Sequence, residues 1–227
     1  MLQSLTPTYQ MKLITSPFTP FCCLFASLNA SPAEVYGGVG FPGITLGYGQ
    51  SLTNNVSVRG EYSGGLNQSR SEARDGVNFN GNVKASSIGL LADYYPTDGS
   101  GFRGTAGLTF NDIKGTLNST GSNGTATINN KPVNLNGLFY NVELKFPSVT
   151  PYLGVGYQSK RSGAPGWGFL VDAGVMVGKF NTTVTQNVVG TSGVTQADVD
   201  AQTNKVRESV NKLSVLPKFT IGAVYSF

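Results

Sequence analysis

Sixteen basic and twelve acidic side chains carry most of the chemistry open to this 227-residue chain, which has no histidine. Without histidine, neither a Ser-His-Asp arrangement nor a Cys-His pair can be assembled. Metal sites built on His or Cys are also out, because Cys22 and Cys23 stand side by side in the N-terminal segment. Paired carboxylates are the remaining catalytic option, and the reading is of a non-enzyme with no cofactor and no metal. One stretch imitates a nucleotide site: Gly38-Val39-Gly40-Phe41-Pro42-Gly43 fits G-x-G-x-x-G. Such a site needs a helix to follow, whose N-terminus holds the pyrophosphate. Here Ile44-Thr45-Leu46-Gly47-Tyr48 alternates as a strand. The glycines read instead as places where strands approach closely or bend.

The charges are sparse, 12% of the chain, with a formal net charge of +4. They form no basic run or stripe, which argues against nucleic acid as a partner. Their placement is more telling. Arg59, Glu61, Asp93, Arg103, Glu143, Lys145, Asp172 and Lys218 each fall within a segment that otherwise alternates apolar and small or polar residues. Side chains on a strand alternate between faces. Val56, Val58 and Tyr62 thus oppose Ser57, Arg59 and Glu61. Ile88, Leu90, Ala92 and Tyr94 oppose Gly89, Leu91, Asp93 and Tyr95. Trp167, Phe169, Val171, Ala173, Val175 and Val177 oppose Gly168, Leu170, Asp172, Gly174, Met176 and Gly178. A soluble β-sandwich alternates in the same way.

Eight strands are expected: Glu34–Phe41, Ile44–Leu52, Val56–Gly64, Val83–Pro96, Phe102–Gly115, Leu138–Gln158, Trp167–Phe180 and Val215–Phe227. The connections near 53, 98 and 163 are short. Those over 65–82, 116–137 and 181–214 are long and read as surface loops, and Pro42-Gly43 is an unusually tight turn. Within the second long loop, Ala126-Thr127-Ile128 and Pro132-Val133 flank Asn129-Asn130, which predicts a small hairpin. Within the third, Thr195-Gln196-Ala197-Asp198 resembles a capping box. Val199, Val206, Val210 and Leu213 come next at helical spacing, so a helix is expected over about 197–213. Asn118, Asn123 and Asn181 fit N-x-[ST] only as loop composition.

The last strand sharpens the reading. Phe219, Ile221, Ala223, Tyr225 and Phe227 share one face, and the sequence stops on the aromatic. This resembles the closing strand of bacterial outer-membrane β-barrels, which the barrel-assembly machinery reads as its signal. The fold class expected is therefore all-β, an eight-stranded antiparallel transmembrane barrel with short periplasmic turns, long extracellular loops and one short loop helix. Hydrophobic content of 39%, with no apolar run of 18 residues, excludes a helical membrane protein but not strands of about 9–11 residues. Tyr94, Phe102, Tyr157, Trp167, Tyr225 and Phe227 would form the inner aromatic girdle. Met11-Lys12 and Leu13 to Leu28 resemble a secretory signal, with Met11 an alternative start and residues 1–33 removed. The barrel segment 34–227 would be cysteine-free, which suits an oxidising compartment.

Pro151-Tyr152-Leu153-Gly154-Val155-Gly156, Trp167-Gly168-Phe169, Asp172-Ala173-Gly174, Asp198-Val199-Asp200-Ala201 and Leu216-Pro217 occur in this order. The order resembles that of the CarO-type outer-membrane proteins over roughly 138–227, with further support from the Gly-rich stretch 37–49. The resemblance implies an eight-stranded barrel discussed as a small-solute channel, with outer-membrane lipid around it. A monomer is expected. With the apolar faces toward lipid, all eight named charges would enter the lumen, four of each sign. Two outcomes stay open: a self-plugged barrel acting through its loops, or a narrow or gated route for a small polar solute past the same charges.

Overall fold

The structure is a computed structural model that describes residues 32–74, 77–97, 99–121, 125–134, 136–159, 165–190, 193–211 and 214–227. Of the expected secretory segment 1–33, residues 1–31 lie outside it, as do Leu213 and residues 160–164. Its strands are β1 (Ala33–Phe41), β2 (Gly43–Ser51), β3 (Val56–Arg74), β4 (Val77–Tyr94), β5 (Phe102–Gly121), β6 (Thr125–Ile128), β7 (Lys131–Asn134), β8 (Phe139–Lys145), β9 (Val149–Gln158), β10 (Gly166–Val177), β11 (Asn181–Gln186) and β12 (Val215–Ser226). One helix, α1 (Gln196–Asn211), precedes β12. No described helix is long and apolar enough to cross a membrane.

β1, β2, β3, β4, β5, β9, β10 and β12 pair antiparallel around a closed ring of eight. The ring is shut by the β1–β12 ladder, from Glu34 opposite Ser226 to Phe41 opposite Phe219. Closure removes every exposed edge at this level, so each backbone donor and acceptor finds a partner without water. The glycines of the nucleotide-like motif serve that ladder. A Cβ on Gly40 would lie 1.8 Å from the Phe219 carbonyl oxygen, and one on Gly38 2.6 Å from that of Ile221.

The outward face carries Val39, Ile44, Leu46, Ile88, Leu90, Leu108, Leu153, Val155, Phe169 and Ile221, each at least 48% exposed. An apolar surface this continuous, wrapped around a polar interior, is inside out for a protein in water and suited to lipid. At the short-turn end, Phe102, Tyr157 and Phe169 form one chain of ring contacts, with centroids 4.8 and 5.6 Å apart, and Trp167, Tyr225 and Phe227 form a second with centroids 5.2 Å apart. Tyr94 is exposed beside them.

Four sequence expectations change. The stretch 65–82 is not a loop: β3 runs on to Arg74 and β4 starts at Val77, with a bulge between Ser63 and Leu66. Gly65, at φ +98°, absorbs that bulge. The fifth strand runs past Gly115 to Gly121, into the expected loop 116–137; the sixth is broken over Phe146–Ser148 into β8 and β9; and the seventh stops at Val177, with a further strand, β11, inside the expected loop 181–214. Beyond the breaks, β5, β8 and β11 leave the ring and continue β3 and β4 as a one-sided wall. The hairpin is β6–β7, with Asn129 and Asn130 at positive φ, the backbone that a tight two-residue turn requires.

Candidate functional site

Six of the eight predicted charges meet inside the ring: Arg59, Glu61, Asp93, Arg103, Asp172 and Lys218, none more than 7% exposed. Arg59 donates from Nη1 to Asp172 Oδ2 at 2.9 Å. It also lies 2.8 Å through Nε from Asp93 Oδ2, an ion pair whose angle is not that of a hydrogen bond. Arg103 donates through Nη2 to both Asp172 oxygens, at 2.8 and 2.7 Å. Lys218 donates to Glu61 Oε1, and the Tyr36 hydroxyl donates to Glu61 Oε2 at 2.7 Å. Thr105 donates to Asp93 Oδ1 at 2.6 Å. Three cations and three carboxylates therefore cancel, and each is held by at least one opposite charge. Pairing of this kind is what makes burial of charge tolerable.

Glycine makes room for these side chains. Directly across the sheet from Arg59 is Gly49, and from Glu61 are Gly47 and Gly89. Gly156 faces both Arg103 and Asp172, and Gly174 faces Lys218. All five glycines share the lumen face with the charge they oppose, because direct cross-strand partners point the same way.

Glu143 and Lys145 do not join the network. They share parity with Leu153 and Val155, so the alternation that turns Tyr152 and Gly156 inward turns these two outward, and both are exposed. Their neighbours Leu144 and Phe146 take the inner positions. The five closing-strand residues Phe219, Ile221, Ala223, Tyr225 and Phe227 line the outer face, while Lys218, Thr220, Val224 and Ser226 point in.

Further members of the network escape the sequence reading. Gln158 accepts from Arg103 Nη1 at 2.8 Å and donates to Glu34. Tyr95 accepts from the same Arg103 nitrogen at 3.3 Å. Gln158 has the parity of Gly154 and Gly156, so alternation alone would have found it. Tyr36 carries no such polar signal among the apolar residues of β1.

Above the charges, toward the long-loop end, the lumen changes character. A band of hydroxyls comes first: Thr45 with Ser63 at 2.9 Å and Thr220 at 3.2 Å, and Thr109 with Thr150 at 2.8 Å. Then Ala85, Leu91, Ile113, Phe146, Tyr152 and Met176 pack into an apolar layer, with Leu66, Phe180 and Leu216 against it. Phe146 and Met176 are fully buried, and the Phe146 and Phe180 rings lie 5.0 Å apart. A second small core lies higher still, where Val77, Val133, Val188, Val194 and Val199 join hairpin, helix and wall.

Asp198 fastens that upper core. Its carboxylate accepts from Lys131 Nζ at 2.6 Å, from Asn129 Nδ2 at 3.0 Å and from the Thr195 backbone nitrogen at 3.0 Å. The Thr195 hydroxyl in turn accepts from the Asp198 backbone nitrogen at 3.3 Å, which completes the expected capping box with Asp in the usual Glu position. These donors, Lys131 first, hold the Asp198 carboxyl far below the usual carboxylate range. The Val206 and Val210 side chains lie outside the described set. No cluster able to hold a metal ion occurs among the described residues.

A closed ring of eight antiparallel strands, apolar outside and charged within, defines an outer-membrane β-barrel. No protein-family model matches the chain, and no curated protein matches it. Among solved structures it is similar to CarO2 of Acinetobacter baumannii, at 21% identity and a TM-score of 0.57 over 87% of this chain and 99% of that one. It is also similar to CarO of Acinetobacter baumannii, at 19% identity and a TM-score of 0.56 over 86% and 98%. At such identities the likeness is one of fold.

Proposed function

We propose that this outer-membrane barrel is closed at rest and acts through its extracellular rim, as a structural or surface-interaction protein. One observation carries the reading: a charge-neutral lumen, its six charges all ion-paired, lies beneath an apolar layer sealed by Phe146 and Met176. An ion entering would have to break salt bridges and then cross a layer of mostly apolar side chains. The one-sided wall of β3, β4, β5, β8 and β11 supplies the surface. Planar-bilayer recording on folded, inserted protein tests the closed state. Silence is expected, and discrete, reproducible conductance steps would overturn it. The surface role predicts that shortening the β3–β4 tip over 69–80 abolishes attachment of cells or purified matrix components, with folding intact.

A second reading is gated passage of a small polar solute. It is favoured by the charged and hydroxyl lining that runs from the short-turn end up to the apolar layer, which is all that interrupts it. On this reading, the Phe146→Ala/Met176→Ala variant conducts where the parent does not. On the closed reading both are silent.

A further inference from the structure

Another group of charges stands on the outer surface. Lys84 on β4 is the direct cross-strand partner of Lys114 on β5, and Lys114 is that of Lys145 on β8. The three therefore form one row across three strands. The row faces outward, because the adjoining Ala85, Ile113 and Phe146 are all buried inside. Lys145 is thus not a lumen residue displaced at random. It ends a row that the sequence conceals, since its members lie about thirty residues apart.

The height of the row is set by the residues beneath it. Ile88, Leu90 and Ala92 lead down β4 to Tyr94. Phe110, Leu108 and Ala106 lead down β5 to Phe102. Val149, Pro151, Leu153 and Val155 lead down β9 to Tyr157. Apart from Asp112, no outward position on these paths is charged. The paths run ten residues from Lys84 to Tyr94, and twelve from Lys114 to Phe102 and from Lys145 to Tyr157. At about 3.3 Å per residue and a tilt of about 40°, that is roughly 25–30 Å, the height of the apolar band of such barrels. With the aromatic girdle at one headgroup level, the lysines stand at the other, in the leaflet on the long-loop side.

Three ammonium groups side by side repel one another. Asp112 offsets part of this, with Oδ2 2.7 Å from Lys84 Nζ and Oδ1 3.5 Å from Lys114 Nζ. Glu143 shares the outer face, two positions beyond Lys145. Lys145 itself makes no ion pair among the described residues. Lys84 and Lys114 keep side-chain exposures of 54% and 43%, so their remaining donors are open to the bilayer surface. A phosphate at headgroup level supplies the missing negative charge and several strong acceptors at once.

We propose that the row Lys84–Lys114–Lys145 binds the phosphate of a phosphorylated glycolipid in the outer leaflet. The proposal is independent of whether the lumen conducts. The full chain, folded in a neutral detergent, is titrated with lipid A bearing its phosphates, with dephosphorylated lipid A and with inorganic phosphate, and complexes are counted by native mass spectrometry. Selective retention of the phosphorylated lipid is expected. The Lys84→Gln/Lys114→Gln/Lys145→Gln variant should bind it about tenfold more weakly or worse. Its fold is checked by heat-dependent gel mobility, and Lys145→Arg should retain binding. Equal binding of the dephosphorylated lipid, or unchanged binding by the triple variant, would overturn the proposal. Competition by inorganic phosphate at matching concentrations would assign the row to a free anion and overturn the lipid.

Discussion

Gly156 and Asp172 are direct cross-strand partners, and the missing side chain of the first lets the second turn in to Arg103: a Cβ at 156 would lie 2.0 Å from Asp172 Oδ1 and 3.0 Å from Arg103 Nε. The charge network and the glycines opposite it are one construction. Gly156→Ala is expected to lower stability by about 1–3 kcal/mol through overpacking. Gly60→Ala, on the outer face with nothing within 4 Å of a Cβ, should change it by less than about 0.5 kcal/mol. Reversible unfolding in urea from detergent or lipid measures both, and equal effects would show that the lumen relaxes freely.

Asp172 is the shared acceptor of Arg59 and Arg103. Asp172→Asn leaves two buried guanidiniums with only Asp93 and Glu61 nearby, and should cost about 3–5 kcal/mol. Neutralising a whole pair is milder. Glu61→Gln combined with Lys218→Met should be less destabilising than the two single changes summed, by at least about 1 kcal/mol in a double-mutant cycle. Strict additivity would remove the basis for treating them as a pair.

Phe146 fills the apolar layer across the break between β8 and β9. Phe146→Ala should cost about 3–5 kcal/mol, as expected for a fully buried aromatic. Phe146→Leu should cost well under half of that. Chemical unfolding again decides, and a small loss for the alanine variant would mean that the layer collapses around the gap.

The clamp at Asp198 has a defined pH response. Its carboxyl is held below the usual range, so its contribution is complete above the unfolded carboxylate value of about 3.9. That contribution is lost only as pH falls further, through the depressed folded value. Hydrogen exchange at 129–133 and 195–199 should therefore stay protected from pH 7 down to about pH 4. Asp198→Asn should raise exchange in both segments at neutral pH. Fraying of the wild-type clamp already near pH 5 would contradict the assignment.

The ring itself is legible in the sequence because lipid on one side and charge on the other make every alternation strong, as in β10. Above the bilayer that contrast vanishes. Ser69 and Ser71 on β3 face Asn82 and Asn80 on β4, polar against polar, above the lysine row. Period two is then invisible, and a paired extension reads as a loop. Glu143 and Lys145 illustrate a different gap: their parity with Leu153 and Val155 turns them outward even along an unbroken strand, but their charge reads as lumen ahead of parity. The apolar layer is concealed for a related reason. Alternation puts Leu91 and Met176 on the inner face, yet only the fold brings them together with Phe146 and Ile113.

The rim also has a shape. β2 meets β3 no higher than Gly43 opposite Gly65, while β3 continues nine residues further, from Leu66 to Arg74, about 30 Å along the strand. A large molecule approaching the cell would therefore find a palisade on one side and a gap over Phe41-Pro42-Gly43 on the other. On the surface-interaction reading, a partner would be steered in over that low side of the rim rather than from directly above.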